Sequence, residues 1–341
     1  MKSLSICFFA ILFSASMQLT NICLAQTVKT DSTYFLTLKS KMQLNGYSQI
    51  RGQFLFDTTK ATSFDLRRIR LNLQGNITPK ILYRLQLDFA GSPKIVDGYF
   101  QYTYKPFLKI TVGQYKIPFS LENITSSSLM YSINRSQVVE GLVARGKDPI
   151  GNQNGRDIGL QVSGQFLQNK RSVFEYAVEL VNGNGINTLD NDRGKDVVGR
   201  LIVSPLKNLW FGGSFYKGRI IKDDHLNPER NRAGGELSYT AKFFAFSAEY
   251  IAGIDNTTHK EGYYGQLTLF PMKHKYEGLI KYDYYDSNIR TPKTSSLSYI
   301  IGFNWLPNSK VKLQLHYDYR VDTDKFDTVN DAIIAMVQIS Y

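Results

Sequence analysis

Arg68 and Arg70 stand two residues apart in the stretch FDLRRIRLNLQGNITPK, alternating with Ile69, Leu71 and Leu73. On a strand the two guanidinium groups share one face and lie about 7 Å apart. A guanidinium keeps its charge and offers forked donors to phosphate or carboxylate, so a row of them can hand an anion along. Arg51 and Arg84 carry the same parity on flanking segments, and Lys281, Lys312 and Arg320 carry it farther on. Asp283 and Asp318 share strands with those last cations and offset them. A fold about NITPK brings Arg70 opposite Asp88, and a fold about GSPK brings Asp88 near Asp97. Arg70 is therefore read in two ways, as a solute contact or as part of a wall network that these acids hold rigid. Arg68 is read as a solute contact.

Other chemistries lack their constellations. His225, His259, His274 and His316 are scattered without an i,i+4 or H-x-x-H partner, so no metal site is expected. Ser204-Pro205-Leu206-Lys207 matches S-x-x-K but falls in a tight turn without the companion motifs. Asp190-x-Asp192-x-Gly194 is a calcium-loop fragment without its distal glutamate. Gly183-Asn184-Gly185 reads as loop material rather than a nucleotide cradle. No catalytic constellation and no cofactor are expected.

The elements that must position these residues are strands. Of 341 residues, 43% are hydrophobic and 21% charged, too apolar for a disordered chain. After the first two dozen residues no run of eighteen apolar residues occurs, which excludes a helical membrane protein. Residues 1–25 read as a secretory signal: Lys2, an apolar run from Leu4 to Leu19, and small residues before Gln26. A lipid anchor on Cys23 is the alternative, and Ile22 is bulky for it. Cleavage removes Lys2, Cys7 and Cys23, leaving a net charge of +11 and no cysteine. That excludes a disulfide scaffold, a thiol enzyme and a cysteine–zinc site. Residues 26–41 form a short leading segment.

From there the chain alternates with period two. Val311, Leu313, Leu315, Tyr317 and Tyr319 face one way, while Lys312, Gln314, His316, Asp318 and Arg320 face the other. Sixteen strands are predicted, over 42–56, 64–76, 82–90, 95–105, 108–116, 156–166, 173–182, 195–205, 209–217, 232–241, 243–254, 261–270, 275–285, 296–305, 310–320 and 331–341. The ninth alternates poorly, and no amphipathic helix is found. Even-numbered connections are short (NITPK, KPF, LQNKR, PLKN, PMKH, LPNS), whereas odd-numbered ones include 117–155, 183–194 and 218–231. Short turns alternating with long loops are how an outer-membrane barrel is built, turns periplasmic and loops outside. Phe54, Phe56, Tyr282, Tyr284, Tyr317 and Tyr319 fall near outer strand ends, and Tyr102, Tyr104, Phe303, Trp305 and Tyr341 near inner ends, as two aromatic girdles require. A secreted sandwich has no reason to segregate its connections in this way. The predicted fold is thus an all-β, 16-stranded antiparallel transmembrane β-barrel over 42–341. Sixteen strands leave an aqueous lumen. The long third loop, 117–155, either folds inward to narrow it or covers the outer mouth.

The stretches FDLRRIRLNLQGNITPKILYRLQLDFAG, VDGYFQY, ITVGQYKIPFSLE and NGRDIGLQVSG resemble the phosphate-selective porins O and P of Gram-negative outer membranes. The resemblance runs from about Asn45 through Gly164 and more loosely to Tyr341. It implies a sixteen-stranded, usually trimeric, anion-preferring channel, and leaves the solute open. A terminal aromatic is what such barrels present to the barrel-assembly machinery.

The expectation is an outer-membrane porin that passes small anions, phosphate or polyphosphate first, along a strip of Arg51, Arg68, Arg70, Arg84, Lys281, Lys312 and Arg320. Asp88 and Asp97 support the strip. In the third loop Arg135, Arg145, Lys147 and Arg156 oppose Glu122, Glu140, Asp148 and Asp157, a near balance that weakens the loop as sole selector. Lysines at the short turns, such as Lys80, Lys105, Lys170, Lys207, Lys242 and Lys273, solvate the rim, and outward cations meet lipopolysaccharide. Nucleic acid is a poor partner for an exported barrel. The rival readings are a general non-selective porin, a receptor or adhesin binding ligands through its loops, and an outer-membrane enzyme, for which no constellation is found.

Overall fold

The computed structural model describes residues 42–57, 62–191, 193–220, 229–272, 275–323 and 330–341. The leading segments 1–25 and 26–41, His225, His274, Lys273 and Asp192 lie outside the described residues or among the undescribed ones.

Period-two alternation produces sixteen strands. They are β1 (Gln43–Leu55), β2 (Ser63–Thr78), β3 (Ile81–Asp88), β4 (Lys94–Lys105), β5 (Leu108–Lys116), β6 (Arg156–Gln168), β7 (Arg171–Val181) and β8 (Asp196–Val203), then β9 (Leu209–Arg219), β10 (Glu229–Thr240), β11 (Phe244–Asp255), β12 (Thr258–Met272), β13 (Tyr276–Asp286), β14 (Ser295–Asn308), β15 (Val311–Asp322) and β16 (Ala332–Ser340). Each pairs antiparallel with its sequence neighbours, and β1 closes on β16 from Tyr47–Ser340 to Leu55–Ala332. Closure removes every sheet edge, which a strand in hydrocarbon requires because no water is there to satisfy it. The poorly alternating ninth segment is a full strand, paired with β8 and β10. The short turns use local chemistry: Asn169 and Lys170 both hold positive φ (50° and 64°), the backbone of a tight two-residue hairpin.

The outward face is apolar, and the aromatic residues expected at the strand ends stand on it. Phe54, Tyr102, Tyr104, Phe303, Trp305, Tyr317 and Tyr319 are exposed there. Tyr282 stacks on Tyr263 and meets Tyr299 edge-on, which continues an aromatic belt from β12 to β14.

The inward face is polar except on one wall. Val181, Val198, Tyr216, Ile251 and Tyr285 carry inward parity yet are buried, because residues 117–155 pack against them. That loop supplies Ile117, Phe119, Val138, Val139, Leu142 and Val143 to the same cluster. It also holds two short helices that the sequence pattern does not reveal, α1 (Leu121–Ile124) and α2 (Gln137–Leu142). The Ser120 Oγ accepts the Asn123 N–H at 3.2 Å and caps α1. On α2, a Cβ added at Gly141 would meet the Tyr285 ring at 2.6 Å, so glycine lets the helix lie flat on β13. A second cluster joins Ile133 of the loop to Ala332, Ile334 and Met336 of β16.

Candidate functional site

Two strand irregularities set the geometry of the wall that the loop leaves open. Between β1 and β2 the register shifts: Gln49 lies opposite Arg68 and Ile50 opposite Leu66, so Arg67 has no opposite residue. A bulge of this kind turns successive side chains to one face. Arg67 and Arg68 both enter the lumen, and Leu66 points outward, 54% exposed. Strict alternation predicts Arg67 on the lipid side and misses it. The signal was present, since an arginine facing hydrocarbon costs about 2–4 kcal/mol at the midplane.

The second irregularity lies between β3 and β4, where the register shifts at Gln86–Leu87. Asp88 faces Lys94 directly across the turn, and beyond the shift Asp97 faces Gln86. The expected neighbourhood of Asp88 and Asp97 is thereby corrected. Arg70 does lie opposite Asp88 and donates to it at 3.0 Å, while Asp97 takes Arg156 at 2.6 Å and Arg84 at 3.3 Å.

The third loop runs inside the barrel, and its anchors are ionic as well as apolar. Arg230 of β10 grips Asp148 through Nε and Nη2 at 3.1 and 2.9 Å, with its guanidinium 4.5 Å above the Tyr216 ring. Lys281 donates to Glu122 at 2.6 Å. Lys312 donates to the Met130 carbonyl at 2.8 Å and lies 3.3 Å from Glu277. Lys281 and Lys312 are therefore buried loop anchors and line neither basic cavity described below, which corrects their placement on the open strip. Burial would raise the Glu122 carboxyl, but Lys281 and the Ser136 N–H outweigh it and hold it below its ordinary value. Asp148 is held low in the same way, burial being overcome by Arg230 and Arg232. The Asp283 carboxylate, expected to offset Lys281, instead accepts the Gln137 N–H at 2.9 Å.

What remains open is a cavity of about 570 Å³ between the loop and the inward faces of β1–β4 and β13–β15. Arg51, Arg67, Arg68, Lys94, Arg135, Arg145, Lys147 and Arg320 line it, against Asp88, Glu140, Asp283, Asp318 and Asp322. Several of these cations are neutralised: Arg51 pairs with Asp65 at 2.5 Å, and Arg320 with Asp318 at 2.6 Å. Four arginines are held differently. Arg67 and Arg68 donate to the Gln49 amide oxygen at 2.8 and 3.3 Å. Arg145 donates to the Asn123 amide oxygen at 3.2 and 2.6 Å, and to the Asn154 carbonyl at 3.0 Å. Arg135 donates to the carbonyls of Glu122 and Thr125 at 3.0 and 2.8 Å, and to the Ser127 hydroxyl. Among the described residues none of the four has a carboxylate within 4.0 Å. Burial, then repulsion from Arg135, pushes the Arg145 guanidinium down from its ordinary value, as for a cation held among cations. A guanidinium still keeps its proton at neutral pH. The loop's formal charge balance thus misleads, since Glu122 and Asp148 are engaged by the wall.

A second cavity of about 260 Å³ lies along β2–β6, lined by Arg70, Arg84, Lys116 and Arg156 together with Asp97. There the arginines are ion-paired and Lys116 donates to the carbonyls of Ile124 and Thr125 at 3.1 and 2.8 Å. Of the other titratable candidates, His316 is buried and bonded to Asn304 at 3.1 Å and the Ile133 N–H at 3.4 Å. Ser204 donates to the Leu206 carbonyl, and Asp190 pairs with Lys195.

Residues 41–220 match the family model for phosphate-selective porin O and P. No curated protein is matched in sequence. Among solved structures, the fold is similar to the anion-selective porin from Comamonas acidovorans, with a TM-score of 0.69 and 11% identity over 88% of this chain and 99% of that one. It is also similar to OmpF of Salmonella typhi, solved with daunomycin (TM-score 0.65, 10% identity, 88% and 97% covered). The outer membrane channel DcaP of Acinetobacter baumannii is similar as well (TM-score 0.62, 13% identity, 88% and 97% covered).

Proposed function

The chain belongs to the phosphate-selective porin O and P family, an outer-membrane porin of a Gram-negative bacterium, and from that premise we propose that it passes small anions by diffusion past Arg67, Arg68, Arg135 and Arg145. The observation that carries this reading is the manner in which those four are held. Each guanidinium is fixed by a neutral oxygen, so its geometry is set while its charge is left for a solute. An anion entering the 570 Å³ cavity exchanges water for forked, charge-assisted donors. It leaves again because selectivity needs binding that is strong enough to favour its own solute and weak enough to release it.

The loop packs its apolar side chains on inward residues of β7, β8, β9, β11 and β13 and so confines passage to the opposite side, which favours this reading over a general porin. Phosphate is the first solute to test, on the strength of the family and of the guanidinium fork. With the proposal go a cleaved leader over 1–25, a homotrimer, assembly by the barrel machinery, and lipopolysaccharide against the outer rim. The neighbouring structure named as anion-selective supports the choice of anions.

The test is single-channel recording on the refolded chain, with reversal potential under a chloride gradient and phosphate titrated in. A reversal potential on the anion side, with chloride current blocked by phosphate, supports the reading. An open channel without preference makes it a general porin, and no conductance moves it to a loop-borne receptor.

A further inference from the structure

Gln49 is where the two adjacent arginines meet, and its side chain is completely buried, at 0% exposure. Its amide oxygen accepts Arg67 Nη1 at 2.8 Å and Arg68 Nη1 at 3.3 Å. Its amide nitrogen donates to Gln338 Oε1 of β16 at 2.7 Å and to the Ser127 carbonyl of the loop at 3.3 Å. One side chain thus ties β2, β16 and the loop together at the bulge. The four partners explain the residue type. Accepting from two guanidinium groups needs an oxygen, reaching two further oxygens needs two donors, and among uncharged side chains only an amide supplies both donors together with an acceptor oxygen. A carboxylate there would grip the arginines more strongly, cancel one of their charges and lose both donors. An aliphatic residue would leave the guanidinium groups charged and unheld.

We propose that Gln49 is a specificity-determining positioning residue: it aims Arg67 and Arg68 into the cavity and, being uncharged, leaves their charge to the solute. Asn123 repeats the device on the loop. Its oxygen takes Arg145 at 3.2 and 2.6 Å, while its nitrogen donates to the carbonyls of Ile117 and Gly155 at 3.2 and 3.1 Å. Three of the four arginines without a carboxylate partner therefore rest on two buried amides. This inference builds on the anion-porin reading above.

The experiment measures chloride-over-potassium permeability from reversal potentials, and block of chloride current by inorganic phosphate, in the natural chain, Gln49→Glu and Gln49→Ala. A natural chain without anion preference overturns the porin reading itself. Given that preference, Gln49→Glu lowers the permeability ratio by about fivefold or more, the factor from one unit charge about 4 Å away even at the dielectric constant of water. An unchanged ratio overturns the role of Gln49. Gln49→Ala keeps both cations, so the reversal potential stays on the anion side, while phosphate block weakens roughly tenfold with the loss of an oriented charged hydrogen bond. Unchanged block overturns the positioning part. Heat-modifiable gel migration certifies each folded barrel. If Gln49→Glu fails to fold, Asn123→Asp carries the same test at Arg145, with a fallen ratio expected and an unchanged one overturning the proposal.

Discussion

Arg230 on β10 and Arg68 on β2 stand eight strands apart in a ring of sixteen, and the same residue type does opposite work at the two places. Arg230 is fully buried, grips both oxygens of Asp148 and lies over Tyr216. Its neighbour Arg232 takes Asp255 at 2.5 Å and the Leu142 carbonyl at 3.2 Å. On that wall the cations are paired with acids, Arg230 with Asp148 of the loop and Arg232, Lys260 and Arg200 with acids of neighbouring strands. Arg68 lies beside Arg67 on one amide oxygen and faces open volume. The difference is in the counter-ion rather than in the arginine. A carboxylate turns a guanidinium into a clamp, whereas an amide oxygen fixes its direction and leaves its field intact.

The largest effect should come from breaking the clamped wall. Arg230→Ala leaves Asp148 buried without its partner, a cost of about 3–5 kcal/mol. The loop is then expected to come away from β10, raising single-channel conductance, weakening anion preference and lowering the unfolding temperature in detergent. Unchanged conductance and stability would show that the loop's other anchors hold it without this clamp.

Next in size is the open wall. Arg67→Ala with Arg68→Ala removes two uncompensated cations, each worth about 1.5–3 kcal/mol as a charged hydrogen-bond donor. Phosphate block should weaken by roughly a hundredfold or more while stability hardly moves, because no acid is orphaned. Arg70→Ala makes the contrast: it strips Asp88 of its partner, so its effect falls on stability and is read by thermal unfolding. Equal effects of the two variants on block would erase the distinction between the walls.

Strong acid should loosen the two clamps. Glu122 and Asp148 hold carboxyl values below their ordinary ones. Their contribution is fully present above the unfolded values of about 4 and is lost as pH falls through the lower folded ones. The part of the stability that these two clamps supply should therefore be lost only below about pH 4, read as a falling unfolding temperature in detergent. A stability that does not fall in that range would contradict this account of the two clamps. The smallest effect is expected at the short-turn rim, where Lys80 and Lys105 lie 5.8 Å from the Tyr104 ring. Lys105→Ala should alter ion preference by less than about twofold, since exposed charges beyond a Debye length of about 8–10 Å are screened.

The strands were legible in the sequence because strand geometry is local. Val311 to Arg320 announces one strand with one wet and one greasy face, and the segregation of turns from loops announces closure. The facing of Arg70 and Asp88 followed from a turn and a count along two strands. What the count missed, it missed where local order is interrupted. The bulge at Arg67 added a residue to the lumen, and the β3–β4 turn closes Asp88 on Lys94 rather than on Asp97, which pairs with Arg84 and Arg156. Val181, Val198 and Ile251 interrupt the polar inner face, a signal that something apolar covers them, but the alternation does not say what.

The sequence by itself determined that this chain forms a sixteen-stranded barrel, because period and turn length act over a few residues. Only the tertiary structure decided which cations are left to a solute. That choice depends on whether an acid or an amide lies beside each arginine, and such a neighbour can arrive from far along the chain, as Gln49 does for Arg68 at 19 residues and Asp148 for Arg230 at 82. Separations of that length are set by the closing of the barrel and the seating of its loop.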